Sequence, residues 1–190
     1  MIPFHAVPDR LEKHRTVLVV IDIQERFRDL LHARDQLLAG AGRLIRAFRE
    51  LEMPVLVTEH YSRGLGVTMP ELRAHLVDIT PIEKIAFSCD GDPGFRKALD
   101  ALNRDQMILC GIEAHVCVYQ TARDLMDRGK QVAIAADAVS ARHQADREIG
   151  LRHMQRIGVQ VMNVDMILFE ILREAQTADF KRIQPILKGD

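Results

Sequence analysis

Six apolar runs of strand length, separated by segments with helical spacing, constrain the fold of this chain more than any other feature. They are "TVLVVIDI" (16–23), "PVLVTE" (54–59), "IEKIAFS" (82–88), "QMILCGI" (106–112), "QVAIAAD" (131–137) and "VQVMNV" (159–164). Several are continuously apolar and rich in Val and Ile, the pattern of parallel strands covered on both faces. Between them, "DQLLAGAGRLIRAFRELE" repeats Leu37, Leu38, Ala41, Leu44, Ile45 and Phe48 at intervals of three and four, leaving Arg43, Arg46 and Arg49 on the other face. Pro54 then blocks continuation. "GFRKALDALNRD", "HVCVYQTARDLMDRGK", "DREIGLRHMQRIG" and "DMILFEILREA" read similarly, with Gly129 and Gly158 at C-terminal stop positions. The alternation predicts an α/β fold, a three-layer sandwich around a six-stranded, mostly parallel sheet.

At 190 residues and 47% hydrophobic, the chain is long enough to bury one sizeable core. The expectation is a single domain over 1–190, with a core at about 16–164 and a C-terminal helical segment at 165–190. Lysine and arginine (26) nearly balance aspartate and glutamate (27), so no overall field draws in nucleic acid or an anionic membrane. "MIPFHAVPDRLEKHR" lacks the apolar stretch of a signal peptide, and every apolar run is soon interrupted by charge. The expectation is a cytoplasmic protein with no membrane and no nucleic-acid partner. Cys89, Cys110 and Cys117 are an odd number at spacings of no zinc or CxxC motif, which reads as reduced thiols. The apolar "VMNVDMILFEIL" packs either internally or between subunits.

In open parallel sheets the reactive groups lie beyond the carboxyl ends of the strands. Asp22 stands at the end of the first run, Lys84 within the third, and Cys117 just after the fourth. Each has an ordinary alternative: an aspartate that caps a helix, a lysine that snorkels, a cysteine packed in a core. Cys110, inside "MILCGI", reads as core, and Cys89, before "DGDPG", falls in a turn and is assigned no role. Cys117 differs because a helical pattern begins directly after it. Val118, Thr121, Ala122, Leu125 and Met126 mark a packed helix face, which puts Cys117 in the first turn, where free N–H groups favour an anion. An ordinary thiol is only about 3% ionised at neutral pH, and a helix N-terminus with a nearby cation such as Lys84 would lower its pKa. Asp22 would then take the proton and return it to a leaving group. The stretch "YSRGLGVTM" (61–69) lacks clear periodicity and is either a substrate-contacting loop or an inert crossing.

"TVLVVIDIQERF", "PIEKIAFS" and "LCGIEAHVCVYQTARDLMDRG", in this order, resemble the isochorismatase-like cysteine hydrolase superfamily. "TEHYSRGLGVTMPEL" and "GIEAHVCV" look most like its isochorismatase domain-containing branch. The resemblance spans about 16–164 and implies that family's Rossmann-like hydrolase fold. It implies a catalytic triad of Asp22, Lys84 and Cys117. It also implies a non-proline cis peptide at Ile112 and Glu113, aiming the Glu113 amide, beside that of Cys117, at a developing oxyanion.

Two departures narrow this reading. Nicotinamidases of the superfamily carry an Asp and His metal cluster after the second strand, where this chain has "TEHYSRG". Glu59 and His60 are adjacent and alternate faces, which makes them poor co-ligands, and His75 reads as a surface helical residue. No metal or other cofactor is expected. Isochorismatases proper hydrolyse a vinyl ether and typically lack the cysteine, so Cys117 argues for acyl chemistry on an amide-like carbon of a small-molecule substrate. Tyr61 and Arg63 are the candidate substrate contacts, and a homo-oligomer is expected. A non-catalytic interaction protein on the same fold, a vinyl-ether hydrolase and a thiol redox protein remain alternatives.

Overall fold

A computed structural model describes residues 8–189. Residues 1–7, the start of the stretch read as lacking a signal sequence, and residue 190, the end of the expected helical segment, lie outside the described residues. The strands are β1 (Thr16–Ile21), β2 (Val55–His60), β3 (Ile82–Lys84), β4 (Gln106–Gly111), β5 (Gln131–Val139) and β6 (Gln160–Met162). The α-helices are α1 (Arg34–Glu50), α2 (Ser62–Leu65), α3 (Pro70–Arg73), α4 (Pro93–Ala101), α5 (Tyr119–Asp127), α6 (Gln144–Arg156), α7 (Val164–Leu172) and α8 (Ala178–Lys188). The six strands form one sheet in the order β3-β2-β1-β4-β5-β6. Every pairing is parallel.

The continuous apolar runs are explained by burial on both faces. Along β1, Leu18 and Val20 enter one core while Val17, Val19 and Ile21 enter the other. The first core receives Leu44 and Phe48 of α1, Ile167 and Leu168 of α7, and Ile183 of α8. The second receives Phe95 and Leu99 of α4, Ala122 and Leu125 of α5, and Met154 of α6. Each fully buried Leu, Ile or Phe contributes roughly 1.5–3 kcal/mol. Asn163 caps α7 and Thr177 caps α8 through side-chain oxygens that accept from Met166 and Phe180 amides.

The strand boundaries differ from the apolar runs where a polar residue redirects the chain. β1 stops at Ile21 because Asp22 adopts φ +53°, outside the extended region. β3 ends at Lys84, where its partner β2 also ends, and the continuing Ile85 and Phe87 are exposed rather than paired. The 61–69 stretch contains the single helical turn α2. Between β1 and β4 the strand order reverses, which opens a crevice at the carboxyl ends of these two strands.

Candidate active site

Asp22 follows β1 at the crevice, in the left-handed conformation that aspartate tolerates better than most residues. It is 2% exposed, and each of its carboxylate oxygens has a partner. Thr58 Oγ1 donates to Oδ1 at 2.7 Å, and Lys84 Nζ donates to Oδ2 at 2.6 Å. Lys84, the last residue of β3, reaches across β2 to make that pair. Its ammonium also donates to the carbonyls of Ala86 (3.2 Å) and Phe87 (3.0 Å), so all three of its donors are used. Burial by itself lowers the Lys84 pKa, but the Asp22 charge and the neighbouring thiols outweigh it, and the net shift is upward. A charged pair this buried is tolerated only with such full pairing.

The opposite wall is built by the end of β4. Gly111 has φ +129°, and a Cβ there would lie 2.1 Å from the Ile21 carbonyl oxygen, so only glycine lets β4 close onto β1 at this point. The Ile112 amide donates to that same carbonyl at 2.9 Å, and the Ile112–Glu113 peptide bond is cis. A π-helical turn, Ala114–Val118, comes next and carries Cys117 ahead of α5. α6 presses closely on this turn because Gly150 has no side chain; a Cβ there would sit 3.0 Å from the Ala114 carbonyl.

Asp22, His60, Glu113 and Cys117 line one small cavity of about 80 Å³. The three groups named from the sequence therefore come together: Cys117 and Asp22 at the cavity, Lys84 behind Asp22. The expected depression of the Cys117 pKa is not found. Burial pushes this thiol well above the ordinary range, and the Asp22 charge and hydrogen bond add to the effect, against a partial offset from Lys84. Helix-terminal dipoles act through unpaired amides, whereas desolvation acts on the whole group, and here desolvation wins.

Glu113 turns its carboxylate to Arg142, whose backbone N and Nε donate at 2.9 and 3.0 Å. Burial alone would raise the Glu113 pKa, but these bonds and the Arg142 charge hold it below the ordinary range. His60 stacks on Phe87 with ring centroids 5.4 Å apart, and its buried Nδ1 has no hydrogen-bond partner among the described residues. Burial and the Lys84 charge keep its pKa low. Tyr61 and Arg63 do not line the Cys117 cavity; they face an adjoining open groove with Val67, Glu83 and Ile85.

Thr58 and Cys89 belong to this cluster, although neither stands out as a functional residue in the sequence. Cys89, expected in a turn without a role, is fully buried, with Sγ 3.6 Å from Thr58 Oγ1 and its amide bound to Thr121 Oγ1 at 2.8 Å. Burial pushes its thiol up to about 12. The available signal for Thr58 is a hydroxyl in an otherwise apolar strand, in register with Ile21 beside Asp22. Cys110 lies in the core. Glu59 is occupied by the Thr68 amide and hydroxyl at 2.6 and 2.8 Å, away from His60. Half-buried His75 lies past α3 rather than on a surface helix. Among the described residues no group of three or more His, Cys, Asp or Glu side chains is placed to hold a metal ion, and no helix is long and apolar enough to cross a membrane.

Residues 16–166 match the isochorismatase domain family. Isochorismatase domain-containing protein 2A of Mus musculus is 37% identical over 180 residues, covering 94% of this chain and 85% of the mouse protein. The solved structure of the MAR1 ribonuclease of Caenorhabditis elegans superposes with a TM-score of 0.89 at 32% identity, over 95% of this chain and 93% of that one. The YcaC gene product of Escherichia coli, an octameric hydrolase of unknown specificity, superposes with a TM-score of 0.90 at 22% identity, over 97% and 92% of the two chains. This last likeness concerns the fold.

Proposed function

The chain belongs to the isochorismatase-domain family, and from that premise we propose that it is a cysteine hydrolase acting on a C–N or related acyl bond of a small molecule. The observation that carries this reading is the meeting of the Cys117 thiol and the Asp22 carboxylate at one cavity, with Lys84 bound to Asp22. A buried thiol with a raised pKa is not a preformed nucleophile. Its proton has to leave as the sulfur attacks, and Asp22 is the carboxylate within reach.

Cys117 Sγ attacks the acyl carbon, and its proton passes to Asp22 while the carbonyl electrons collect on oxygen. The amides of Glu113 and Cys117 donate to that oxyanion. Collapse breaks the C–N bond, and Asp22 returns the proton to the departing nitrogen, leaving a thioester on Cys117. Water, deprotonated by Asp22, then attacks the thioester and frees the acid and the thiol. Lys84, bound to Oδ2, keeps Asp22 oriented between steps. No step uses a cofactor, and assembly into a homo-oligomer accompanies this reading, in line with the octameric E. coli neighbour.

Incubation with pooled small amides, imides and ureas tests the reading by intact mass. A substrate-dependent acyl adduct on Cys117, lost in Cys117→Ala, supports it; hydrolysis that survives Cys117→Ala overturns it. The nematode relative brings a second reading, RNA cleavage. Phosphodiester cleavage needs donors for phosphate charge, and the two cations bound to residues of this cavity, Lys84 and Arg142, are engaged by Asp22 and Glu113. RNA cleavage by the pure chain that disappears in Cys117→Ala would favour that alternative.

A further inference from the structure

We propose, resting on the cysteine-hydrolase reading, that the acyl donor is a very small amide with an uncharged, apolar acyl group, and that the cavity rejects substrates carrying a carboxylate. The first observation is size. At roughly 10–15 Å³ for each water-sized sphere, a cavity of about 80 Å³ admits a fragment of roughly five to eight non-hydrogen atoms. Drug-sized ligands occupy about 300–1,000 Å³, so an aromatic ring with substituents does not fit.

The second observation is the lining. Beyond Asp22, His60, Glu113 and Cys117, the walls are Phe27, Leu65, Phe87, Ile112 and Val116. The third is that, among the described residues, no lysine or arginine lines this cavity to meet an anionic substrate. Lys84 spends its three donors on Asp22 and on the carbonyls of Ala86 and Phe87. The carboxylate of Glu113 is already taken by Arg142, and Arg142 is not among the lining side chains. His60 is stacked on Phe87 with Nδ1 unpartnered among the described residues, and burial and the Lys84 charge lower its pKa, against protonation. A substrate carboxylate would thus be desolvated with no partner, beside a cavity that already holds the Asp22 charge. An aliphatic acyl group meets mainly apolar walls.

Two matched pairs of probes test this independently of one another. Iodoacetamide and iodoacetate are similar in size and differ in charge, and they report on the cavity whether or not the chain turns over an amide. The ratio of their alkylation rates at Cys117, mapped by mass, should exceed the same ratio for glutathione by about tenfold or more. Leu65→Arg, a change at a half-buried wall position, should bring the ratio back toward that of glutathione. Isovaleramide and malonamate are similar in shape, a carboxylate replacing the isopropyl group; ammonia release should be at least about tenfold faster from isovaleramide. A Cys117 ratio equal to that of glutathione, or equal turnover of malonamate, overturns the substrate class while leaving the cysteine-hydrolase reading intact. Selective alkylation with neither ammonia nor an acyl adduct from any neutral small amide overturns both.

Discussion

Lys84 Nζ lies 2.6 Å from Asp22 Oδ2, and both side chains are almost wholly shielded from water, at 0% and 3% exposure. The two residues are 62 positions apart: Asp22 follows β1 and Lys84 ends β3, with β2 between those strands. Such a pair gives little net stability relative to apolar packing, since the desolvation of two charges offsets most of their attraction. Its place at the end of a sheet, with Asp22 at a cavity that holds a thiol, is what the proposed role beside Cys117 requires.

Asp22→Asn and Lys84→Met should each remove most of the turnover. Loss of a positioned general base typically costs about 10² to 10⁴ in rate. Each single variant also leaves a buried partner uncompensated, at about 3–5 kcal/mol of stability. The double variant separates the two roles: its denaturant midpoint should recover toward wild type while its rate stays as low as the poorer single. Recovery of rate together with stability would show that the pair is only architecture.

Gly111→Ala should damage the site although no reacting atom is touched. The added methyl would be driven toward the Ile21 carbonyl from a backbone at φ +129°, and neither strand can give way within the sheet. A loss of about 3 kcal/mol or more in urea denaturation is expected, with Cys117 alkylation altered in the folded fraction. A midpoint within about 0.5 kcal/mol of wild type would contradict this account of the β1–β4 junction.

Much of this arrangement is legible in the sequence, and the parts that are not have a common cause. Val17 to Ile21 read as a strand covered on both faces because alternate residues enter separate cores. Asp22, Lys84 and Cys117 stand out because polar groups at the ends of apolar strands need a partner or a task. Thr58 and Cys89 do not, since their proximity to Asp22 depends on strand register and on the path after β3. The upward direction of the Cys117 shift escapes the sequence for a related reason: helix position is visible along a chain, whereas desolvation depends on everything packed around the group. Tyr61 and Arg63 fall outside the cavity because their loop divides between two places: Leu65 turns to the cavity, whereas Tyr61 and Arg63 line a separate groove.

Alkali should destabilise the fold before it breaks any ion pair. Burial pushes the Cys110 thiol up to about 12, whereas an unfolded cysteine titrates near about 8.5. Between these values the unfolded chain releases a proton that the native chain keeps, so stability is fully present below about pH 8.5 and falls as pH rises toward about 12. The loss should be on the order of 2 kcal/mol per buried thiol by pH 10. Cys110→Ala should lower the denaturant midpoint at pH 7.5 but flatten its decline from pH 8.5 to 10.5. Parallel curves for wild type and variant would mean that this thiol does not carry the effect.

Thr58→Val tests whether the hydroxyl positions Asp22 or merely fills space. Valine matches threonine in shape, so packing in β2 is kept while the 2.7 Å donor to Asp22 Oδ1 disappears. A hydrogen bond to a charged group is worth about 1.5–3 kcal/mol, and a stability loss in that range is expected under either role. The turnover number distinguishes them. That hydroxyl fixes the orientation of the Asp22 carboxylate, so its removal should lower kcat by about tenfold or more with KM little changed. Thr58→Ser, which keeps the donor and drops a methyl, should restore the wild-type kcat even if it folds less stably. The same kcat for wild type, Thr58→Val and Thr58→Ser would leave the hydroxyl a packing group, and Asp22 would then be oriented by Lys84 alone.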